Sequence, residues 1–165
     1  MTGCVTERLF AGTGFRPAPA TQYGAFLPAT GPVILRDADR TRGVALAVRY
    51  DYIVEDVGTD TAGREFRIRE TSYRFQVSDR DGREILAYHW HPEGVSPVTE
   101  PHLHLSGRLR PLDAGERDAP VALGEMHLPT GLVTLDGVVG LLITGFGVEP
   151  RRPDWETILG RGAGP

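Results

Sequence analysis

The strongest constraint on the fold is a period-two alternation of apolar and polar residues in successive segments. Between Val44 and Val54, apolar residues occupy every even position. In the segment 85–91, Leu86, Tyr88 and Trp90 alternate with Ala87 and two histidines. Residues two apart on a strand point to the same face, so each run predicts a strand with one apolar face. Several such runs separated by turn residues are typical of an antiparallel sheet.

The segment 65–78 breaks this rule once. Its apolar positions are even at Phe66 and Ile68 but odd at Tyr73 and Phe75. A regular strand with this change of parity would turn half of its apolar residues toward solvent. The sequence therefore predicts a β-bulge or a break between positions 69 and 72.

Turn and helix signals divide the rest of the chain. The stretch 55–64 predicts a turn-rich link, and Asp81 with Gly82 predicts a hairpin turn. Thr134 is a suitable N-cap for a helix over 134–146, because the apolar residues that follow it have helical spacing. A short helix is predicted over 153–160. The run VALGEMHLP predicts a further strand that ends at His127, with Val121, Leu123 and Glu125 on the same face as His127.

Together these patterns predict an α+β fold. We expect an antiparallel sheet of about four to six strands, one packed helix and a short C-terminal helix. Residues 1–43, rich in Gly, Ala, Thr and Pro, predict a loosely ordered N-terminal arm, and 44–165 a single domain. A chain of 165 residues is most simply one domain.

Composition excludes several classes of protein. Cys4 is the only cysteine, so neither an internal disulfide nor a cysteine-based zinc site is expected. No apolar run reaches the length that a bilayer requires, which predicts a cytoplasmic protein without a membrane partner. The net charge of -4 disfavours an indiscriminate nucleic-acid binder. Every basic residue is arginine, which leaves specific anion binding open.

Four of the five histidines lie close together, in two pairs with one residue between the partners. They are His89 and His91 in YHWHP, and His102 and His104 in PHLHL. On strands, each pair presents both imidazoles to one face, and neighbouring strands would bring all four together. Imidazole binds transition metals and titrates near neutral pH, so the cluster suits metal binding or proton transfer.

The first interpretation is a metal site. His89, His91, His102 and His104 would hold a divalent transition metal, with Glu93, Glu100, Glu125 or His127 as further ligands. A three-histidine set with one open position suits a metalloenzyme.

The second interpretation is metal-free catalysis on a phosphodiester. The same four histidines would accept and donate protons, and Arg67, Arg69 and Arg74 would bind the anion. A third interpretation is a non-catalytic interaction module whose histidine face docks a partner protein.

The segment from Tyr73 to about Gly131 carries the motifs YRFQVSD, DGRE, HWHP, PHLH and HLPTG in this order. In this arrangement it resembles the TumE-type toxins of bacterial toxin–antitoxin pairs. The resemblance covers about half of the chain. It implies a small toxin that inhibits growth by acting on RNA, as a ribonuclease, and that is partnered by an antitoxin protein. A toxin of this kind, acting through the four histidines, is the function that we expect from the sequence, with a metalloenzyme and an interaction module as alternatives.

A second resemblance concerns the run DGREILAYHWHPE. A glycine, a short strand, HxH and a following glutamate are similar to the first motif of cupins. The resemblance implies a small metalloenzyme in which His89, His91, either Glu93 or Glu100, and the later His127 bind the metal.

Overall fold

The structure, a computed structural model, describes residues 2–7, 11–12, 22–27, 32–36, 43–60, 63–93, 96–106 and 126–160. Within these ranges, eight strands form one antiparallel sheet. The strands are β1 (Ala11–Gly12), β2 (Gln22–Leu27), β3 (Val33–Ile34), β4 (Ala45–Asp60), β5 (Gly63–Ser78), β6 (Glu84–Trp90), β7 (His102–Leu105) and β8 (Leu128–Pro129). A 3-10 helix (Thr2–Cys4), α1 (Leu135–Phe146) and α2 (Trp155–Ile158) are the helical elements of this part of the chain.

The strand order is β1-β2-β4-β5-β6-β7-β8, and β3 also pairs with β4. The fold is therefore mostly antiparallel sheet with few helices, in agreement with the predicted fold class. More strands are present than the predicted four to six. Three of them, β1, β3 and β8, have only two residues each. Elements this short show no periodicity in a sequence, because alternation needs at least four residues to be recognised.

The hairpin of β4 and β5 is longer than the alternation predicts. The stretch 55–64 was expected to be a turn-rich link, but β4 continues to Asp60 and β5 begins at Gly63. Within the extension, Glu55 pairs with Arg67 across the ladder, and Arg69 Nε donates to Glu55 Oε1 at 2.6 Å. Opposite charges on facing strands stabilise such a ladder, so polar composition did not end the strand here.

The predicted irregularity in β5 is confirmed. Asp51 pairs with Ser72 and Tyr52 with Glu70, so Thr71 is the extra residue of a bulge. Beyond it, Ile68 faces Val54 across the ladder. The bulge thus keeps the even apolar residues on the same sheet face as the odd ones that follow.

Three strands of the sheet, β1, β2 and β3, come from the first 43 residues. β2 pairs with β4 along its whole length, from Gln22 opposite Ile53 to Leu27 opposite Val48. Leu27 and Leu35 are buried in the core together with Cys4. The sheet therefore begins before the boundary expected at residue 44, and the remainder of that segment lies outside the described residues.

The core lies on one face of the sheet. Its central cross-strand row consists of Val48, Phe75, Tyr88 and Leu103. The buried residues of α1 belong to the same apolar cluster: Leu135, Val138, Val139 and Leu142.

Both ends of α1 follow from local chemistry. Thr134 Oγ1 accepts a hydrogen bond from the Gly137 N–H, as expected of an N-cap, and Gly147 ends the helix at a φ of 69°. The Val133 N–H donates to Tyr73 Oη at 2.9 Å, which ties the start of α1 to the core strand β5. α2 is shorter than the predicted 153–160. Among the described residues, no helix is both long and apolar enough to span a bilayer.

Candidate metal centre

The second face of the sheet carries the histidines. β6 and β7 are neighbours, as the shared-face prediction requires, and His89 lies opposite His102 while Ala87 lies opposite His104. Leu86, Tyr88 and Trp90 point to the core face, so the alternating residues point away from it. We call this second face the histidine face.

β8 adds the fifth histidine. Pro129 pairs with His102 and Leu128 with Leu103. The same register places His127, one residue before β8, opposite His104. The rings of His104 and His127 lie 4.4 Å apart between centroids.

All five histidines of the chain form one cluster. The shortest remaining centroid distances are 4.6 Å between His89 and His104, 4.8 Å between His102 and His127, and 4.9 Å between His102 and His104. His91 lies 5.2 Å from His102. His102 thus occupies the middle of the cluster.

Two groups of three imidazoles have their nitrogens close enough together to hold a metal ion. The inner group is His89, His91 and His102, and the outer group is His102, His104 and His127. In each, one nitrogen per residue lies within 4.8 Å of the others. Metal–nitrogen bonds of about 2.0 to 2.1 Å require small side-chain adjustments from this spacing. Among the described residues, neither group includes a carboxylate or a cysteine.

His102 belongs to both groups, and a backbone carbonyl fixes the orientation of its ring. Its side chain is 1% exposed, and Nδ1 lies 2.7 Å from the backbone carbonyl oxygen of Glu100. A carbonyl only accepts hydrogen bonds, so Nδ1 carries the hydrogen and Nε2 presents a lone pair. Hydrogen bonding of the distal nitrogen to a carbonyl is the usual support of a metal-binding imidazole.

The lone pair of His102 has no partner within the described part of the chain. Nε2 of His102 and Nε2 of His89 are both buried and lack a hydrogen bond. Unsatisfied buried polar atoms are rare in folded proteins, and a water, an ion or a ligand would satisfy these nitrogens. Thr71 Oγ1 at the bulge of β5 is a third atom of this kind. Because only one nitrogen of His102 is available, a single ion at a time can use this residue.

Burial keeps the central imidazoles neutral. It is the largest cause that lowers the pKa of His89, to about 3, followed by the neighbouring His104 and Arg74. Burial also lowers the pKa of His102 and of His104, with His127 adding to the effect. Neutral imidazole is the form that binds metal, whereas a general acid must be protonated.

The metal-free protein is expected to lose stability as the pH falls below about 6.5. An unfolded chain protonates His89 near pH 6.5, while the folded protein resists protonation until about pH 3. The unfolded state therefore binds more protons in this window, and unfolding is favoured as the pH falls. Thermal melts of chelator-treated protein at pH 7.5, 6.5 and 5.5 measure the effect. His89→Gln should show a smaller decrease than the wild type. An equal decrease in both would contradict this prediction.

The other candidate residues are placed as follows. Arg74 lies opposite His89 on the histidine face. Arg67 and Arg69 lie on the same face but farther along the hairpin, where Arg69 is paired with Glu55. Glu93 is exposed in the turn after His91 and belongs to neither group.

Sequence reasoning missed the backbone carbonyl of Glu100 as a support for His102. It also missed Gln76, which lies beside Arg74 on the histidine face and opposite Ala87. Gln76 shares the parity of Arg74, so the alternation of β5 was a signal that could have found it. No residue pattern in the sequence indicates that the Glu100 carbonyl supports His102.

No protein-family model matches this chain, and neither a curated protein nor a solved structure matches it. The site geometry is therefore the basis for a functional assignment.

Proposed function

We propose that this protein is a small metalloenzyme that holds one divalent transition-metal ion on the histidine face. One observation carries the proposal: the buried, unpartnered Nε2 of His102 lies where two histidine triads meet. The carbonyl of Glu100 fixes this nitrogen as an electron-pair donor. The cupin resemblance implies His89, His91, either Glu93 or Glu100, and His127 as ligands. The site proposed here differs from that set, because it centres on His102 and does not include the side chain of either glutamate.

The imidazole ligands limit which metal ions the site would bind. Imidazole nitrogen suits Zn²⁺, Cu²⁺, Ni²⁺ or Fe²⁺, whereas Mg²⁺ and Ca²⁺ prefer oxygen ligands. Three protein ligands leave a position for water or substrate. A bound ion would supply a Lewis acid or lower the pKa of a bound water. The chain itself orients the ligands through Glu100 and places the cation of Arg74 beside His89.

A second candidate function is that of an RNA-directed toxin with a partner antitoxin. The row in which Arg74 lies opposite His89, and Arg49 opposite Arg74, favours it, because cations beside imidazoles suit a phosphodiester. The lowered pKa values of His89 and His104 weaken this proposal, since one histidine must be protonated to donate to the leaving group.

We expect the purified, chelator-stripped protein to take up about one equivalent of Zn²⁺ or Ni²⁺ per chain. The inner and outer groups share His102, and therefore both cannot be complete at once. Elemental analysis after dialysis measures the stoichiometry. Glu156→Gln, on α2 and exposed, is the matched control and should bind the same amount.

Metal uptake of less than a tenth of an equivalent per chain would overturn the metalloenzyme proposal.

The toxin proposal is tested by expression of the protein in a bacterial host. Growth arrest that His89→Ala relieves, together with RNA cleavage that persists in chelator, would favour the toxin over the metalloenzyme.

A further inference from the structure

A cavity of about 320 Å³ opens on the histidine face, next to the metal centre. Its lining residues come from three strands and are Phe26, Leu27, Ala47, Val48, Arg49, Arg74 and Gln76, with Pro32 at one side. The side chains of Leu27 and Val48 are buried in the core on the other face, so the groups on the cavity side are the two arginines, the Gln76 amide, Phe26 and Ala47. A concave apolar site with a few polar groups is the usual form of a small-molecule site.

The sheet register joins this cavity to the histidines. On β5, Arg74 lies opposite His89 and Gln76 opposite Ala87. On β4, Arg49 lies opposite Arg74 and Ala47 opposite Gln76. Since neighbouring strands are about 4.8 Å apart, Arg74 stands one strand from His89 and forms the boundary between cavity and cluster.

The two arginines make the cavity suitable for an anion. Arg49 is ion-paired with Asp51 at 3.1 Å and Arg74 with Glu84 at 3.2 Å. Arg74 and Glu84 are both partly exposed, at 49% and 30%, and a pair of this kind contributes little. Asp51 is only 13% exposed and accepts three hydrogen bonds from Arg49, so Arg74 is the more available cation. Each guanidinium has five N–H donors, more than the recorded pairs use. A carboxylate can accept two parallel hydrogen bonds from one guanidinium group.

The rest of the cavity suits a flat apolar group. Phe26 lies opposite Arg49 in the ladder, and the guanidinium carbon of Arg49 is 5.5 Å from the centre of its ring. Ala47 has a small side chain, which leaves room above the sheet. An aromatic wall beside a small residue accommodates a planar ligand.

We propose that this cavity binds a small planar organic carboxylate and that such carboxylates are the substrate class of the metal centre. Its apolar body lies against Phe26 and Ala47, and its carboxylate lies at Arg49 and Arg74, on the side that faces His89. The binding site stands on the cavity itself, whereas the role as substrate rests on the proposed metalloenzyme.

Benzoate is the test ligand, benzamide its neutral isostere and inorganic phosphate the competing anion. Calorimetric titration of the metal-free protein is expected to show benzoate binding about tenfold more tightly than benzamide. The reason is that the benzoate carboxylate is charged opposite to the guanidinium groups, whereas the amide of benzamide is neutral. Arg74→Gln should weaken benzoate about tenfold. Arg152→Gln, an exposed arginine paired with Asp154 outside the sheet, should leave it unchanged.

A second variant separates the cavity from the metal centre. Ala47→Leu places bulk on the cavity floor, so benzoate binding should be lost while metal uptake remains at the wild-type level. Equal affinity for benzoate and benzamide, unchanged affinity in Arg74→Gln, or tighter binding of phosphate would overturn the carboxylate site.

Metal uptake measured on the same samples distinguishes the two proposals. Metal binding without benzoate binding overturns the carboxylate site and leaves the metalloenzyme intact. Benzoate binding without metal uptake overturns the metalloenzyme and supports the cavity as a carboxylate site.

Discussion

His102→Ala is expected to lower the affinity for Zn²⁺ by about 100-fold or more. His102 belongs to both histidine groups, so its removal leaves two imidazoles in each. Loss even of a group that only supports a ligand reduces metal affinity 10- to 100-fold, and loss of a shared ligand should exceed this range. Competition with a chromophoric chelator measures the affinity.

Two further variants serve as matched controls. His91→Ala leaves the outer group complete, and His127→Ala leaves the inner group complete. Each should therefore weaken binding less than His102→Ala does. Circular dichroism establishes that each variant is folded. Wild-type affinity in His102→Ala would contradict the central role of this residue, as would an equally large loss in His91→Ala.

Phe75→Ala is expected to lower the free energy of unfolding by about 3–5 kcal/mol. Phe75 is fully buried, with 0% of its surface exposed, in the middle of the core face. Its ring stacks on Tyr73 at 4.7 Å and meets Tyr50 edge-on at 5.2 Å. The truncation removes these contacts and leaves a cavity. Urea denaturation of the metal-free protein measures the change.

Phe66→Ala is the matched control, because it lies on the same strand and the same sheet face. Phe66 is 40% exposed in the outer half of the long hairpin. We expect a loss of less than about 1 kcal/mol. Similar losses in the two variants would contradict the assignment of the core to the inner half of β4 and β5.

Much of the fold follows from local patterns. The alternation in 44–54 and 85–91 marks the apolar face of β4 and β6. The change of parity after Ile68 predicts a bulge or a break between positions 69 and 72, and the strand register shows a bulge at Thr71. Thr134 and the helical spacing after it give the start of α1. These features are local, because the direction of a side chain depends on the backbone period of its own element.

The sequence alone predicts only part of the candidate site. The spacing of each pair puts His89 with His91, and His102 with His104, on one side of a strand. The alternation in 121–127 predicts a strand that ends at His127, and residues 121–125 lie outside the described part of the chain. That His127 joins the other histidines depends on β8, whose pairing with β7 no local pattern predicts. The cavity depends on β2, in a segment whose composition predicted an arm.

The sequence by itself thus determined which residues of β4, β5, β6 and β7 share a face, because a side-chain period of two is a property of the strand alone. Only the tertiary structure decided which strands are neighbours, how far the hairpin of β4 and β5 extends, and that Glu100 orients His102. These features depend on hydrogen-bonding partners that lie far apart in the chain or in an irregular turn, and a partner strand can order residues whose own composition favours a loop.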